Sequence, residues 1–269
     1  LQSVSVTTWS TEDQQLHEGI KRLSVVGFVA IVVVYVAILQ VITIFLTRDL
    51  DVEYAAPTTV EQVWRSISVS VGVALVFVIA VISILGWWRP VLTDRRPVQP
   101  WVIIVPIFMV LIILAGTNYA GLADKGAGFT LLLLLSALAV GFGEELMFRG
   151  VGVTVFRING FSEGRVALWS TVIFGLAHAS NVFAEGSKVA LQVVVTILAG
   201  YFFYLIRRRS GILLAALVHG LWDFGLISGA IVEDETYAGT ALFVVANVVL
   251  GVILLVRRHR IEPAAAPAG

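Results

Sequence analysis

Eight apolar stretches of about twenty residues fill most of this chain, near 23–46, 66–88, 101–119, 129–149, 164–182, 189–206, 211–230 and 238–256. Each is long enough to cross roughly 30 Å of hydrocarbon as a helix. In lipid the backbone must satisfy its own polar groups, so helices are what such runs can form. The composition agrees, at 58% hydrophobic and 13% charged residues with a mean hydropathy of +0.95; a soluble domain cannot hide that much apolar surface. The expectation is an all-α polytopic membrane protein with about eight transmembrane helices. No fixed-period repeat is visible, so residues 23–258 read as one helical membrane domain. Residues 1–22 read as a juxtamembrane segment, and 259–269, ending in Glu-Pro-Ala-Ala-Ala-Pro-Ala-Gly, as a disordered tail. The run Leu23 to Leu46 is too long for a signal-peptide core and reads as an anchor. A net charge of zero gives no sign of nucleic-acid binding. The chain has no cysteine, which excludes disulfides, thiolate zinc sites and thiol nucleophiles.

Basic residues set the expected orientation. Lys21 and Arg22 precede the first run, and Arg89, Arg95 and Arg96 follow the second. Arg149, Arg157 and Arg165 surround the connection of the fourth and fifth, Arg207, Arg208 and Arg209 follow the sixth, and Arg257, Arg258 and Arg260 follow the last. Fourteen of eighteen Lys and Arg thus fall on one side; Arg48, Arg65, Lys125 and Lys188 are left on the other, with the acidic loop Glu233-Asp234-Glu235. The positive-inside rule then predicts cytoplasmic termini, and the plasma membrane of a prokaryote is the expected location. Trp87, Trp88 and Trp101 flank the second cytoplasmic loop, as an interfacial aromatic belt would. Arg149, Arg207, Arg208 and Arg209 are expected to serve as topology determinants or headgroup contacts rather than substrate clamps, with Arg149 also satisfying Glu145.

Ionisable side chains inside the spans are few, and therefore informative. Glu144 and Glu145 are adjacent in the fourth run, His178 lies in the fifth, and His219 and Asp223 share a face of the seventh at i,i+4. Such a group costs about 2.5–3.5 kcal/mol on insertion scales, which makes a functional reading the default. Asn159-Gly160-Phe161-Ser162 should turn the chain between the fourth and fifth spans, with Ser162 as a helix cap. Glu144 and His178 are equally distant from Phe161 along the sequence, so an antiparallel hairpin places both roughly 25 Å from its tip. If the tip projects about 10 Å, with Arg157 and Arg165 at the surface, Glu144, His178 and His219 share one layer. Gly141, Gly143, Gly175, Ala216, Gly220, Gly225 and Gly229 mark close helix contacts around that layer.

A carboxylate beside an imidazole in a dry pocket can activate water as a general base. A second imidazole can donate to a developing oxyanion. Glu145 stands i,i+4 before Arg149, the favourable order for a helical ion pair, which leaves Glu144 as the free base. Asp223 could orient His219, or donate a hydrogen bond if burial keeps it protonated. Glu144-Glu145-x-x-x-Arg149, then Phe174-x-x-x-His178, then His219-x-x-x-Asp223, in that order on separate spans, resembles the CPBP family of CAAX-protease and bacteriocin-processing intramembrane glutamic endopeptidases. The resemblance covers roughly residues 130 to 225, with all motifs inside 129–230. It implies eight transmembrane helices around a cavity open to the cytoplasm. It further implies that Glu144 and His178 activate water, that His219 helps form the oxyanion site, and that Glu145 and Arg149 are structural partners. CAAX-processing members carry Asn where this chain has Asp223, while Asp is similar to the bacterial members. The implied activity is metal-independent cleavage, without a cofactor, of membrane-associated or lipidated peptides or membrane proteins.

Other readings remain beside this one. Glu144, His178, His219 and Asp223 could ligate zinc in a metal-dependent membrane protease, or the cluster could be a relay in an immunity or transport protein. The plainest alternatives are an ion-pair network that fixes helix packing and histidines bonded to backbone carbonyls. Phe174, Trp169 and Trp222 read as packing residues, with Trp222 able to line a cavity; His17 and His259 read as solvated. No His-Glu-x-x-His occurs, and no Gly-x-Ser-Gly nucleophile motif is present.

Overall fold

The computed structural model describes residues 21–50, 56–94, 96, 98–182, 186, 189–232 and 237–262. The juxtamembrane segment before Lys21, His17, Arg95, Lys188, Glu233 to Glu235 and the tail beyond Glu262 lie outside the described residues. Among the described residues helix is the regular structure. The apolar segments are α1 (Val25–Thr47), α2 (Val60–Leu85), α3 (Pro100–Gly116), α4 (Tyr119–Ile158), α5 (Glu163–Ala177), α6 (Val189–Ser210), α7 (Ile212–Ser228) and α8 (Ala238–Val256). Five of these, α1, α2, α4, α6 and α8, are long and apolar enough to cross a bilayer, and α3 and α7 are shorter apolar helices. The all-α polytopic membrane fold expected from the apolar runs is the fold found.

Several boundaries differ from the expected ones for identifiable reasons. α4 begins ten residues earlier than the 129–149 run suggests, because it absorbs a kink at Gly126, whose φ of 84° only glycine adopts easily. It also continues past Arg149 to Ile158, through a π-helical stretch at Glu145–Gly152. α5 is short because its last turn tightens into a 3-10 turn at His178–Asn181. The turn at Asn159 and Gly160 is where expected, with Gly160 at φ 79°. Ser162, however, makes no side-chain cap; its backbone carbonyl accepts from Arg165 and Val166 instead.

Hydrogen bonds between helix ends define two faces of the bundle. On one, Lys21 Nζ donates to the Ile84 carbonyl, Trp87 Nε1 to Lys21, Asn159 Nδ2 to Leu23 and Trp101 Nε1 to Arg260. On the other, Arg65 Nε donates to the Leu46 carbonyl, the Asn118 amide to Ser228 Oγ, Tyr237 Oη to Thr117 and Asn181 Nδ2 to Gln192 Oε1. Successive helices therefore alternate in direction, and the first face is the arginine-rich one.

That face is tied together by ions rather than fringed by them. Arg157 pairs with Asp94 at 3.1 Å and with Glu163 at 2.5 Å, and Arg96 pairs with Glu163 at 2.8 Å. Tyr204 Oη also donates to Glu163, Arg207 lies 3.6 Å from Asp94, and Arg208 forks onto Glu262 at 2.6 and 2.9 Å. Arg207 is 1% exposed and Arg208 7%. Arg22, Arg89, Arg165, Arg209, Arg257, Arg258 and Arg260 are exposed, whereas Arg149, Arg207 and Arg208 are buried rather than free for headgroups; the hairpin tip is docked, since Arg157 has carboxylates on two neighbouring segments to satisfy. Residues 259–262 likewise differ from the disordered tail expected over 259–269. Arg258–Arg260 form a 3-10 turn, the Gln99 amide donates to the Ile261 carbonyl, and Ile261 is buried.

Among the described residues the most extensive helix contact is α4 with α7. A Cβ on Gly220 would stand 2.6 Å from Leu138 Cα and 2.8 Å from the Ala137 carbonyl, and one on Gly141 would collide with the backbone at Ala216 and Gly220. Small residues there let two backbones touch, as small-residue spacing in lipid-embedded helices does. This contact carries Glu144 and Glu145 to His219. Outward-facing Val26, Val76, Ile84 and Val256 are exposed, as side chains facing acyl chains would be.

Candidate active site

Glu144 closes the regular α-helical part of α4 and Glu145 opens its π segment. A π segment widens the turn and turns neighbouring side chains out of helical register, a device common at functional sites. Here it sends the two carboxylates to different partners. Glu145 Oε1 accepts from Arg149 Nη1 at 3.0 Å, as the i,i+4 spacing anticipates, and also contacts His219 Nδ1 at 2.9 Å. Glu145 and Arg149 are both 0% exposed. Burying such a pair is tolerable because each charge has its partner, whereas removing one would strand the other.

Glu144 Oε2 is buried and makes no direct hydrogen bond. It stands 4.0 Å from His178 Nε2 and 3.6 Å from His219 Nε2. Asp223 Oδ2 is 3.5 Å from the same His219 nitrogen. The structure thus gathers Glu144, Glu145, Arg149, His178, His219 and Asp223 into one cluster. The orienting partner of His219, though, is Glu145 on Nδ1, and Asp223 stands with Glu144 on the opposite ring nitrogen. Asp223 is one turn along the same helix, so its side chain reaches only the Nε2 edge of the imidazole.

Ring tautomers follow from these contacts. His178 Nδ1 is 3.0 Å from the Phe174 carbonyl. A carbonyl only accepts, so Nδ1 carries the proton and a neutral His178 presents its Nε2 lone pair toward Glu144. His219 donates from Nδ1 to Glu145, and its Nε2 can donate as well only as imidazolium. Aromatic side chains hold both rings. Phe203 stacks on His219 with centroids 4.2 Å apart, and Phe174 meets the edges of His219 at 5.7 Å and His178 at 5.0 Å. The Arg149 guanidinium lies 3.9 Å over Phe174, a cation–π contact of the desolvated kind. Phe174 thus does more than pack: its carbonyl and ring position three polar side chains.

Two cavities reach the cluster. One, about 200 Å³, includes Glu144, His178 and Asp223 and is walled by Tyr35, Gln40, Thr43, Ser66, Asn181 and Gln192 among others. The second, about 140 Å³, lies between α6, α7 and α8; it touches His178, His219 and Asp223, and Trp222 lines it. Both lie away from the arginine-rich face. Toward that face every residue from Gly143 to Phe156 is buried. The sequence reading passed over Phe203, Gln40, Asn181 and Gln192. The amides stood out as polar residues in apolar runs; nothing in the sequence marked Phe203. Among the described residues no group of three or more His, Asp or Glu side chains is arranged to hold a metal ion.

Fold and site together define a membrane-embedded protein with a buried carboxylate–imidazole cluster. Residues 126–225 match the family model described as type II CAAX prenyl endopeptidase Rce1-like. The match spans all six cluster residues and supports the CPBP/CAAX protease family read from the motifs. That family indicates a protease of the CAAX prenyl endopeptidase type, a multi-pass integral membrane enzyme with peptide substrates. Searches of curated proteins and of solved structures gave no match.

Proposed function

We propose that the chain is an intramembrane glutamic endopeptidase that hydrolyses peptide bonds with a water activated by Glu144 and His178. The observation that carries this reading is the 4.0 Å between Glu144 Oε2 and His178 Nε2. That gap is too long for a direct hydrogen bond and fits one water bonded to both at about 2.7–2.9 Å. Both acceptors face the water, so each takes one O–H and the oxygen lone pair is left toward the substrate.

Attack on the scissile carbonyl moves a water proton to Glu144 and leaves a tetrahedral oxyanion. His219, held by Glu145 and flat against Phe203, is placed to donate from Nε2 to that oxygen. Collapse breaks the C–N bond as Glu144 returns the proton to the leaving amine, giving an amine and a carboxylic acid whose remaining proton passes to His178 Nε2. No covalent enzyme intermediate is required. Asp223, on the Nε2 side of His219, either holds that imidazolium or meets the substrate amide. Arg149 neutralises Glu145 and has no direct part in the chemistry. The termini lie in the cytoplasm of a prokaryote, in this reading, with the bundle in its plasma membrane.

The test is cleavage of peptides by the purified protein in lipid nanodiscs. Glu144→Gln and His178→Ala should each lower kcat by at least about 100-fold, with thermal unfolding close to wild type. A chelator should leave the rate unchanged; loss of activity restored by zinc would replace this mechanism with a metal-dependent one. Retention of full activity in Glu144→Gln would end the proposal.

A further inference from the structure

We infer that the cavity of about 140 Å³ between α6, α7 and α8 is a side-chain subsite, in which Asn247 selects a substrate residue carrying an N–H or O–H donor beside the scissile bond. The inference rests on the proposed roles of Glu144, His178 and His219.

Asn247 is the one carboxamide of α8, a helix that carries no charged residue. It is 4% exposed, and a polar group placed in such a helix points to a use for it. Its orientation is fixed by one bond. Nδ2 lies 3.2 Å from the Val195 carbonyl. A carbonyl only accepts, so the amide nitrogen faces it and Oδ1 is left as the acceptor. That oxygen is buried and has no hydrogen-bond partner among the described residues, and Asn247 lines the cavity. A buried acceptor without a donor is destabilising, so the cavity is built to receive one.

Most of the remaining wall is apolar. Phe174, Phe203, Trp222 and Phe243 line it, the last two edge to face at 4.8 Å. The volume is close to the roughly 150 Å³ of a cavity that takes up benzene, which is room for one medium side chain. A single well-placed polar group in an apolar box is how binding pockets fix what they hold. Asp223 stands on the same wall and, when ionised, also only accepts. An acidic side chain would therefore meet acceptors at both ends, and no Lys or Arg lines the cavity among the described residues to offset that. A hydroxyl or a carboxamide satisfies both.

Position ties this cavity to the reaction. His178, Gln192, Asp223 and Leu226 line both it and the cavity that includes Glu144, so only side chains stand between the two. His219 also borders the smaller cavity, and in the proposed mechanism its Nε2 meets the scissile carbonyl oxygen. Successive side chains of an extended peptide point to opposite faces. A carbonyl held between Glu144 and His219 leaves one adjacent side chain directed past His219 toward Asn247.

Peptides that differ in one residue beside the scissile bond, Gln against Met and Thr against Val, are matched in shape and differ in the donor; a Gly peptide is the reference. Affinities would be measured in nanodiscs on the full chain carrying Glu144→Gln, so that binding is read without cleavage. The expected result is that the Gln or the Thr peptide binds about tenfold tighter than its partner, on one side of the bond. Asn247→Leu in the same background should remove that preference. Val244→Phe, which narrows the cavity from α8 and leaves the amide in place, should weaken both members of the preferred pair relative to Gly. Equal binding within both pairs, or a preference that survives Asn247→Leu, would overturn the inference and leave Asn247 with water as its donor. Unaltered binding in Val244→Phe would overturn it too. Failure of the binding test leaves the Glu144 and His178 reading standing. A wild type that binds with the preference and cuts nothing would sink the catalytic reading alone.

Discussion

Glu144 and Glu145 are chemically identical neighbours put to different uses by what surrounds them. Glu145 has Arg149 and His219 within 3.0 Å, so its charge is spent holding an imidazole. Glu144 is 3.6 and 4.0 Å from two imidazoles, distances that leave room for a reacting water. The division predicts different losses. His219→Gln should reduce kcat by roughly 10²–10³ with little change in KM, as loss of an oxyanion donor does elsewhere; steady-state kinetics decide it. Arg149→Met should instead act on folding, because it strands a fully buried Glu145. A destabilisation of about 3–5 kcal/mol is expected, read as a lower unfolding temperature in detergent. Glu145→Gln, added to Arg149→Met, should recover much of it. The sequence disclosed the Glu145–Arg149 pair because both lie on one helix at a fixed spacing. It could not disclose that His219 shares Glu145, since that bond joins residues 74 positions apart.

At the scale of elements, α4 and α7 decide whether the cluster exists. Their backbones meet at Gly141, Ala216 and Gly220, where a Cβ on Gly220 would fall 2.6 Å from Leu138 Cα. Gly220→Val should force the helices apart, cost about 1–3 kcal/mol in stability and abolish cleavage by separating His219 from both glutamates. Gly72→Ala is the matched control, with nothing within 4 Å of its added carbon, and should behave as wild type; equal damage from both variants would refute the close-contact argument. The glycine pattern was legible in the sequence as small-residue spacing. The π segment at Glu145–Gly152 was not. A helix pattern assumes a constant turn per residue, and a local widening leaves no periodic trace.

Across the whole molecule, the arginines have two roles that only one kind of reading separates. By position they orient the bundle, and by contact they seal it. Asp94 is the common partner of Arg157 and Arg207, so Asp94→Asn should lower the unfolding temperature markedly. The pairs are buried, so raising salt from 0.1 to 1 M should weaken the wild type little, since mobile ions screen exposed charges far more than enclosed ones. Melting curves at the two salt concentrations check this. A wild type that loses as much stability in salt as it does through Asp94→Asn would show the network to be surface electrostatics only.

The sequence alone determined that the chain enters a membrane as helices, in what order they follow, and which ionisable groups are confined among them. These are one-dimensional properties: the length of an apolar run, the position of a charge, the spacing along one helix. Only the tertiary structure decided that His219 answers to Glu145 as well as Glu144, that Asp223 sits on the reacting edge of the ring, and that the arginine-rich end is tied by buried ion pairs. Each of those depends on how far one helix is rotated and slid against another, which close backbone contact and buried charge pairing fix and a residue count does not contain.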